Sequence, residues 1–285
     1  MVLTFRKVAL ALGFLFIPHI GLGDFLPPND LHLEDSFDKE GGITEEEFHE
    51  VIDQAEEIYA PIVKGHRARL RFARNWNNSM VNASAQQFFG SWIVNMYGGL
   101  ARRPEITKDG FALVVCHELG HHLGGFPKTS WWAANEGNSD YFASLSCARL
   151  LWEDEVEENK LAALAIPDYP KQLCDEAYFG AGENRLNLCY RQMLASYSTA
   201  NLLATLGGTQ IDFETPDTKE VARTSHGHPQ GQCRLDSYMA GTLCQKAFDT
   251  ALIPKNESKM AENSCNRADG DQIGVRPRCW FKPSL

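Results

Sequence analysis

The hexapeptide His-Glu-Leu-Gly-His-His at positions 117–122 is the feature that most restricts what this chain folds into. His117 and His121 are four residues apart, so on a helix their side chains lie on one face and reach the same metal ion. Glu118 lies beside them, close enough to take a proton from a metal-bound water. The apolar run at 108–116 predicts that this helix is buried. Chance produces the pattern in about one chain in a hundred, so the neighbouring sequence has to decide.

A second helix, predicted to begin near Asn135, supplies the ligand that the first helix lacks. Catalytic zinc usually binds three protein side chains and keeps a fourth position for water. Glu136 is the expected third ligand of a single zinc ion, and Asp140 lies one turn further along the same face. A carboxylate at this position accepts the free N–H of a zinc-bound histidine and fixes its tautomer. The alternative is that Glu136 only stabilises the N-terminus of its helix.

The first 23 residues have the three parts of a secretory signal. Arg6 and Lys7 form the basic start, residues 8–17 the apolar run, and small residues precede a cleavage site near Gly23. The apolar run is too short to span a bilayer, so we expect no stable membrane insertion after the signal is removed. A retained anchor is the alternative. The sequence therefore predicts a secreted or periplasmic protein.

Eight cysteines, all beyond the signal, fit an oxidising compartment. Their connectivity does not follow from the sequence, but close spacing suggests three local pairs. These are Cys174 with Cys189, Cys233 with Cys244, and Cys265 with Cys279. Cys116 and Cys147 remain, one on each predicted metal helix, and a bridge between them would hold those helices together. Two buried free thiols are the alternative for this last pair.

Net charge restricts the classes of partner that this chain can bind. The chain carries −10, or −12 once Arg6 and Lys7 leave with the signal, and it has no basic run. Such a chain is a poor partner for nucleic acid or an anionic membrane. We expect an irregular lead-in at 24–43, one domain at 44–250, and a disulfide-stapled tail at 251–285.

The local patterns predict an α+β fold, mostly helical, with a small antiparallel sheet beside the metal helix. Thr44 opens a helix with a capping box, and we expect Pro61 to stop it after about Tyr59. Residues 68–76 alternate like a half-buried strand. Two further strand-like runs, 80–88 and 91–100, suggest a hairpin whose edge binds an extended peptide through main-chain hydrogen bonds. A long helix is expected at 184–206, and a later one ending near Phe248.

These motifs, taken in order, resemble those of the HtpX-like and CaaX-endopeptidase-type zinc metallopeptidases, the gluzincin family M-forty-eight. The resemblance spans residues 44–248. It is carried by the strand Val81-Asn82-Ala83-Ser84-Ala85, the turn Tyr97-Gly98-Gly99-Leu100, the run from Phe111 to His122, the helix from Glu136 to Asp140, and His228-Pro229 followed by Arg234-Leu235. Only 14 residues separate His121 from Glu136, fewer than is usual in the family. The membrane helices of several family members have no counterpart here, so the family's soluble periplasmic members are the better comparison.

The resemblance implies a zincin-like endopeptidase that hydrolyses peptide bonds with a glutamate-activated, zinc-bound water. His228 would stabilise the transition state or cap the zinc, and Arg234 would orient His228 or a substrate carbonyl. The strand formed by Asn82, Ala83, Ser84 and Ala85 would bind substrate. A different class of function stays open, a latent zinc-containing binding or chaperone-like module with His228 as fourth ligand. A zinc hydrolase of non-peptide substrates is a third. His122 and His226 are expected to have no role in the site.

Overall fold

The computed structural model describes residues 23–35 and 41–283, so all of the expected signal except Gly23 lies outside the described residues. The expected α+β class is confirmed, with a four-stranded sheet and a larger helical part. Over the described ranges, no helix is long and apolar enough to cross a bilayer. The helices are α1 (Glu45–Gly65), α2 (Gly98–Ala101), α3 (Lys108–Leu123), α4 (Glu136–Phe142), α5 (Ala148–Trp152), α6 (Val156–Ala162), α7 (Asp168–Ala177), α8 (Glu183–Leu206), α9 (Gly231–Leu243) and α10 (Glu257–Glu262).

The sheet is mixed, so the expectation of an antiparallel sheet was wrong. Its strands are β1 (Gly23–Asp24), β2 (Arg69–Asn75), β3 (Ala83–Phe88) and β4 (Ser91–Tyr97), in the order β1-β3-β4-β2. The hairpin of β3 and β4 is antiparallel as predicted. After β2, however, the chain crosses to the far side of β4 before β3 begins, so β2 and β4 run parallel.

Helix α1 begins at the predicted capping box, in which Thr44 and Glu47 bond each other's backbone N–H. It does not stop at Pro61 but continues to Gly65. Pro61 is exposed, and so is Glu57, whose carbonyl loses its helical partner, while Val63 is fully buried. Burial of Val63 therefore offsets the missing hydrogen bond.

Helix α3 runs through the centre of the molecule, and every residue from Gly110 to Leu123 is buried. Helix α4 crosses it, separated by so little space that a Cβ at Gly120 would lie 2.9 Å from the Ser139 backbone. A π-helical turn, Ala143–Cys147, joins α4 to α5, which ends at Trp152. The two helices that carry the predicted metal ligands are thus held in direct contact inside the core.

All eight cysteines form disulfides, and two of the four expected pairs are confirmed. Cys116–Cys147 links α3 to the π-helical turn with a Cα–Cα distance of 5.4 Å, and Cys174–Cys189 links α7 to α8. The other two expected pairs were wrong, since Cys233 bonds Cys279 and Cys244 bonds Cys265. Cys233 and Cys244 lie at opposite ends of α9, about 16 Å apart at the helical rise, so they are too distant to pair.

The described parts of the expected lead-in and tail are more closely integrated than the sequence suggested. The lead-in is not simply irregular, because Asp24 belongs to β1 and Phe25 is fully buried in the main core. In the tail, Trp280 is fully buried, its indole N–H donates to Ser237 (2.9 Å), and its ring lies against Gly137. The tail therefore packs against the helix that carries Glu136.

Candidate metal centre

His117, His121 and Glu136 meet at one point between α3 and α4. Nε2 of His117 lies 3.3 Å from one carboxylate oxygen of Glu136, and Nε2 of His121 lies 3.6 Å from the other. One ligand atom from each residue falls within 4.8 Å of the others, and all three residues are buried. The cluster forms because residues four apart on α3 share a face and α4 begins opposite that face. The structure thus brings the three predicted ligands together.

The unpartnered atoms in this cluster fit a metal ion. Nε2 of both histidines and Oε2 of Glu136 are buried without a hydrogen-bond partner in the part of the chain described here. Buried polar atoms are normally paired, so three such atoms at one point indicate a missing partner. Two imidazole nitrogens and a carboxylate are a donor set that zinc accepts with a fourth position left open. The residues can therefore hold a metal ion.

The opposite nitrogen of each histidine is held by a second group. Nδ1 of His117 donates to Asp140 (2.7 Å), and Nδ1 of His121 donates to the carbonyl of Ala134 (2.9 Å). Because Nδ1 carries the proton in both rings, Nε2 presents its lone pair to the cluster. The expected role of Asp140, fixing the tautomer of a ligand, matches this geometry.

Arg234 lies elsewhere than the sequence suggested. Its guanidinium is fully buried and binds both carboxylate oxygens of Asp140, at 2.7 and 2.6 Å. A third bond reaches the carbonyl of Phe25, at 2.6 Å. The expectation that Arg234 orients His228 was therefore wrong, since the guanidinium bonds Asp140 instead. Arg234 positions Asp140, which in turn positions His117.

Charges within the site follow from burial and these pairs. Burial alone would raise the pKa of Asp140, but Arg234 and His117 outweigh it and lower that pKa to about 2. Burial likewise acts to raise the pKa of Glu136, and the two ligand histidines reverse it, leaving the pKa lowered. For His121, burial lowers the pKa to about 4. Both carboxylates are thus ionised and His121 neutral at neutral pH, as metal binding requires.

Glu118 has no hydrogen-bond partner on either carboxylate oxygen within residues 23–35 and 41–283, although it is fully buried. Burial raises its pKa well above the usual range, and the nearby charges of Glu136 and Asp24 raise it further. A buried carboxylate with a raised pKa and free oxygens is suited to accept and return a proton. This environment matches the proton-transfer role predicted for Glu118.

His228 reaches the site from the loop before α9. Its Nε2 lies 3.5 Å from Glu136 and donates to the carbonyl of Asp24 at 2.7 Å. It is not part of the three-residue ligand cluster. The predicted proximity of His228 to the metal ligands is therefore seen, and its hydrogen bond is directed at a backbone carbonyl.

The predicted substrate strand is already paired with the chain's own N-terminal segment. Asp24 lies opposite Ser84, and Gly23 lies opposite Ala85. Phe25 N donates to the carbonyl of Ala83 at 3.0 Å. Asn82 accepts from Leu26 N through its side chain at 2.9 Å. This edge is beside the metal centre as expected, but in this chain it is occupied.

His122, expected to have no role in the site, is a core residue. Its ring stacks between Trp92 and Trp132, at centroid distances of 5.1 and 5.0 Å, and burial lowers its pKa to about 3. Sequence reasoning missed Asp24 and Phe25, which lie at the centre and were assigned to the lead-in. The sequence signal was an apolar pair, Phe25 and Leu26, one residue after the expected cleavage site.

No family model, curated protein or solved structure matches this chain. The function of the centre therefore has to be argued from its geometry and chemistry.

Proposed function

We propose that this protein is a secreted or periplasmic zinc-dependent endopeptidase with a zincin-like active site, related to the gluzincins. The observation that carries the proposal is the convergence of three unpartnered, buried ligand atoms, from His117, His121 and Glu136. Beside them lies Glu118, also buried and unpartnered. Structural zinc sites have no need of such a free carboxylate, whereas hydrolysis requires a base.

Zinc bound here would polarise a substrate carbonyl and acidify a water molecule. Glu118 accepts a proton from the attacking water and returns it to the leaving amine. His228 donates a hydrogen bond to the carbonyl oxygen on which negative charge develops, as it now does to the Asp24 carbonyl. Arg234 and Asp140 hold His117 in the tautomer that presents Nε2.

The edge of β3 supports a peptide substrate over a small molecule. The main-chain carbonyl of Ala83 in this strand and the side-chain oxygen of Asn82, just before it, already bind an extended segment. The same contacts are available to any peptide backbone, because they do not depend on its side chains. Four disulfides support an oxidising compartment for the protein.

A latent zinc-binding module is less consistent with the geometry. It requires a fourth protein ligand, and His228 is the nearby histidine for that role. Nε2 of His228 is outside the ligand cluster and bonds the Asp24 carbonyl. The fourth position is thus left to substrate and water in our proposal.

The test compares Glu118→Gln with the matched surface variant Glu158→Gln. Glu158 is exposed and far from the ligand helices in sequence, so its variant reports the effect of losing a charge alone. We expect Glu118→Gln to bind one zinc ion per chain, measured by mass spectrometry of metal content, and to lose proteolysis of casein by about 10²- to 10⁴-fold. Casein cleavage at the wild-type rate by Glu118→Gln would refute the proposal.

A further inference from the structure

The segment Gly23–Leu26 lies along β3 in the manner of a bound peptide. It runs antiparallel to the strand, and its N–H groups at Phe25 and Leu26 donate to Ala83 (3.0 Å) and Asn82 (2.9 Å). These are the contacts by which an extended peptide adds to a sheet edge. Within the proposed function, the segment therefore occupies the position of a substrate.

One peptide bond of this segment, Asp24–Phe25, is held by the polar groups of the site. The carbonyl of Asp24 accepts from Nε2 of His228 at 2.7 Å, and that nitrogen is itself 3.5 Å from Glu136. The next carbonyl, of Phe25, accepts from Arg234 at 2.6 Å. Donors on successive carbonyls fix the Asp24 carbonyl beside the metal ligands. A carbonyl so polarised is the one prepared for attack by water.

Gly23 shows how closely the segment approaches the metal ligands. A Cβ at this position would lie 2.6 Å from Cγ and Cδ2 of His121 and 2.8 Å from its Nε2. Nε2 is the atom that faces the metal, so the backbone of Gly23 passes directly beside the metal centre. Any side chain here would collide with the ring. The segment thus fits between β3 and His121 because residue 23 is glycine.

We propose that the protein cleaves its own Asp24–Phe25 bond, an inference that rests on the proposed function. Water adds to the carbonyl carbon of Asp24 as Glu118 takes one of its protons. Glu118 then gives that proton to the Phe25 nitrogen, and the C–N bond breaks. The new carboxyl group on Asp24 passes its remaining proton to the released amine, which leaves a carboxylate on Asp24 and an ammonium group on Phe25. Water is the only co-reactant.

The consequence of this cleavage is that the edge of β3 becomes free to bind another peptide. Phe25 stays anchored, because its ring is fully buried, edge-on to His117 at 5.3 Å, and its carbonyl is bound by Arg234. Gly23 and Asp24 leave with the upstream residues and uncover the edge of β3 at Ser84 and Ala85, against which they pair. Until the bond is cut, the chain's own segment excludes other peptides. Where a signal peptidase has already cut after Gly23, the same step removes Asp24 alone.

The first test follows the N-terminus of the full chain. Residues 1–285 are synthesised in a membrane-free, oxidising translation system, where no signal peptidase acts, and zinc is added. N-terminal sequencing should find Phe25 as the new first residue in the wild type, with cleavage about 10²-fold slower or more in Glu118→Gln. A wild-type chain that keeps its Asp24–Phe25 bond overturns the inference.

A chain that begins at Phe25 separates this inference from the proposed function. If that chain cleaves casein in a Glu118-dependent way while the full chain stays uncut, self-cleavage is wrong and the endopeptidase proposal stands. If neither cleaves, both are wrong.

A second test needs no activity. In the metal-free Glu118→Gln protein, the amides of Phe25 and Leu26 should exchange hydrogen slowly, because the first is bonded to the carbonyl of Ala83 and the second to the side chain of Asn82. Gly23→Ala should displace the segment and speed their exchange by about tenfold. Gly65→Ala is the matched control, since no atom lies within 4 Å of a Cβ there, and its exchange should equal that of the parent. Fast exchange in the parent, or equal rates in the two variants, would overturn the docked geometry.

Discussion

Adding one methyl group at Gly120 should separate the two helices that carry the metal ligands. Gly120 lies on α3 between Glu118 and His121, where α4 crosses it. A Cβ at this residue would lie 2.9 Å from both Cα and the carbonyl oxygen of Ser139, while ordinary contact begins at 3.4 Å. These atoms belong to the backbone, so they cannot turn aside as a side chain would. Gly120→Ala therefore forces α4 to move.

The size of the effect follows from this distance. Restoring ordinary contact requires a shift of about 0.5 Å, the difference between 3.4 and 2.9 Å. Overpacking of this kind costs about 1–3 kcal/mol, while alanine gains up to about 1 kcal/mol over glycine inside a helix. We expect a net loss of about 1–2 kcal/mol in the free energy of unfolding. Because Ser139 lies between Glu136 and Asp140, zinc affinity should fall by about tenfold or more, since ligand distances tolerate only about 0.2 Å.

Urea unfolding of the metal-free, disulfide-intact protein measures the first effect, and competition with a zinc-binding dye measures the second. Gly65→Ala is the control, because it also adds a methyl group to α1 but meets no atom within 4 Å. This control should be neutral or stabilised by about 0.5–1 kcal/mol, with unchanged zinc affinity. Identical unfolding midpoints and identical zinc affinities in the two variants would refute the close crossing of α3 and α4.

Three further predictions concern the support of the centre. Asp140→Asn leaves the buried guanidinium of Arg234 without its counter-ion. We expect the free energy of unfolding, measured with urea, to fall by about 3–5 kcal/mol, and zinc affinity to weaken 10- to 100-fold because His117 loses its support. An unchanged unfolding midpoint would contradict this. In the double variant Cys116→Ala/Cys147→Ala, the free energy of unfolding should fall by about 3–4 kcal/mol, because the bridge closes a loop with a sequence separation of 31. Stability equal to that of the wild type would show that the bridge is not formed. The third change is removal of zinc with a chelator from protein kept in free zinc at about 1,000 times the dissociation constant. It should lower the free energy of unfolding by about 4 kcal/mol and the melting temperature by about 10 °C. A constant melting temperature would exclude a metal site in the folded state.

The sequence by itself determined the local structure of the centre. Spacing along one helix places His117 and His121 on the same face, so no knowledge of the fold is needed to pair them. Glu136 and Asp140 follow the same rule on the next helix. The capping box at Thr44 and the β3–β4 hairpin were also predictable, because each is encoded by neighbouring residues.

Tertiary structure decided which distant groups meet. Arg234 was expected to orient His228 or a substrate carbonyl, and the crossing of α9 with α4 places its guanidinium on Asp140 and on the carbonyl of Phe25. The partners of Cys233 and Cys244 depend on where the tail packs, which no local spacing reveals. The N-terminal segment has only two residues of strand, too few to show a pattern. Its place beside His121 follows from burial of Phe25 in the core, and that contact exists only after the chain has folded.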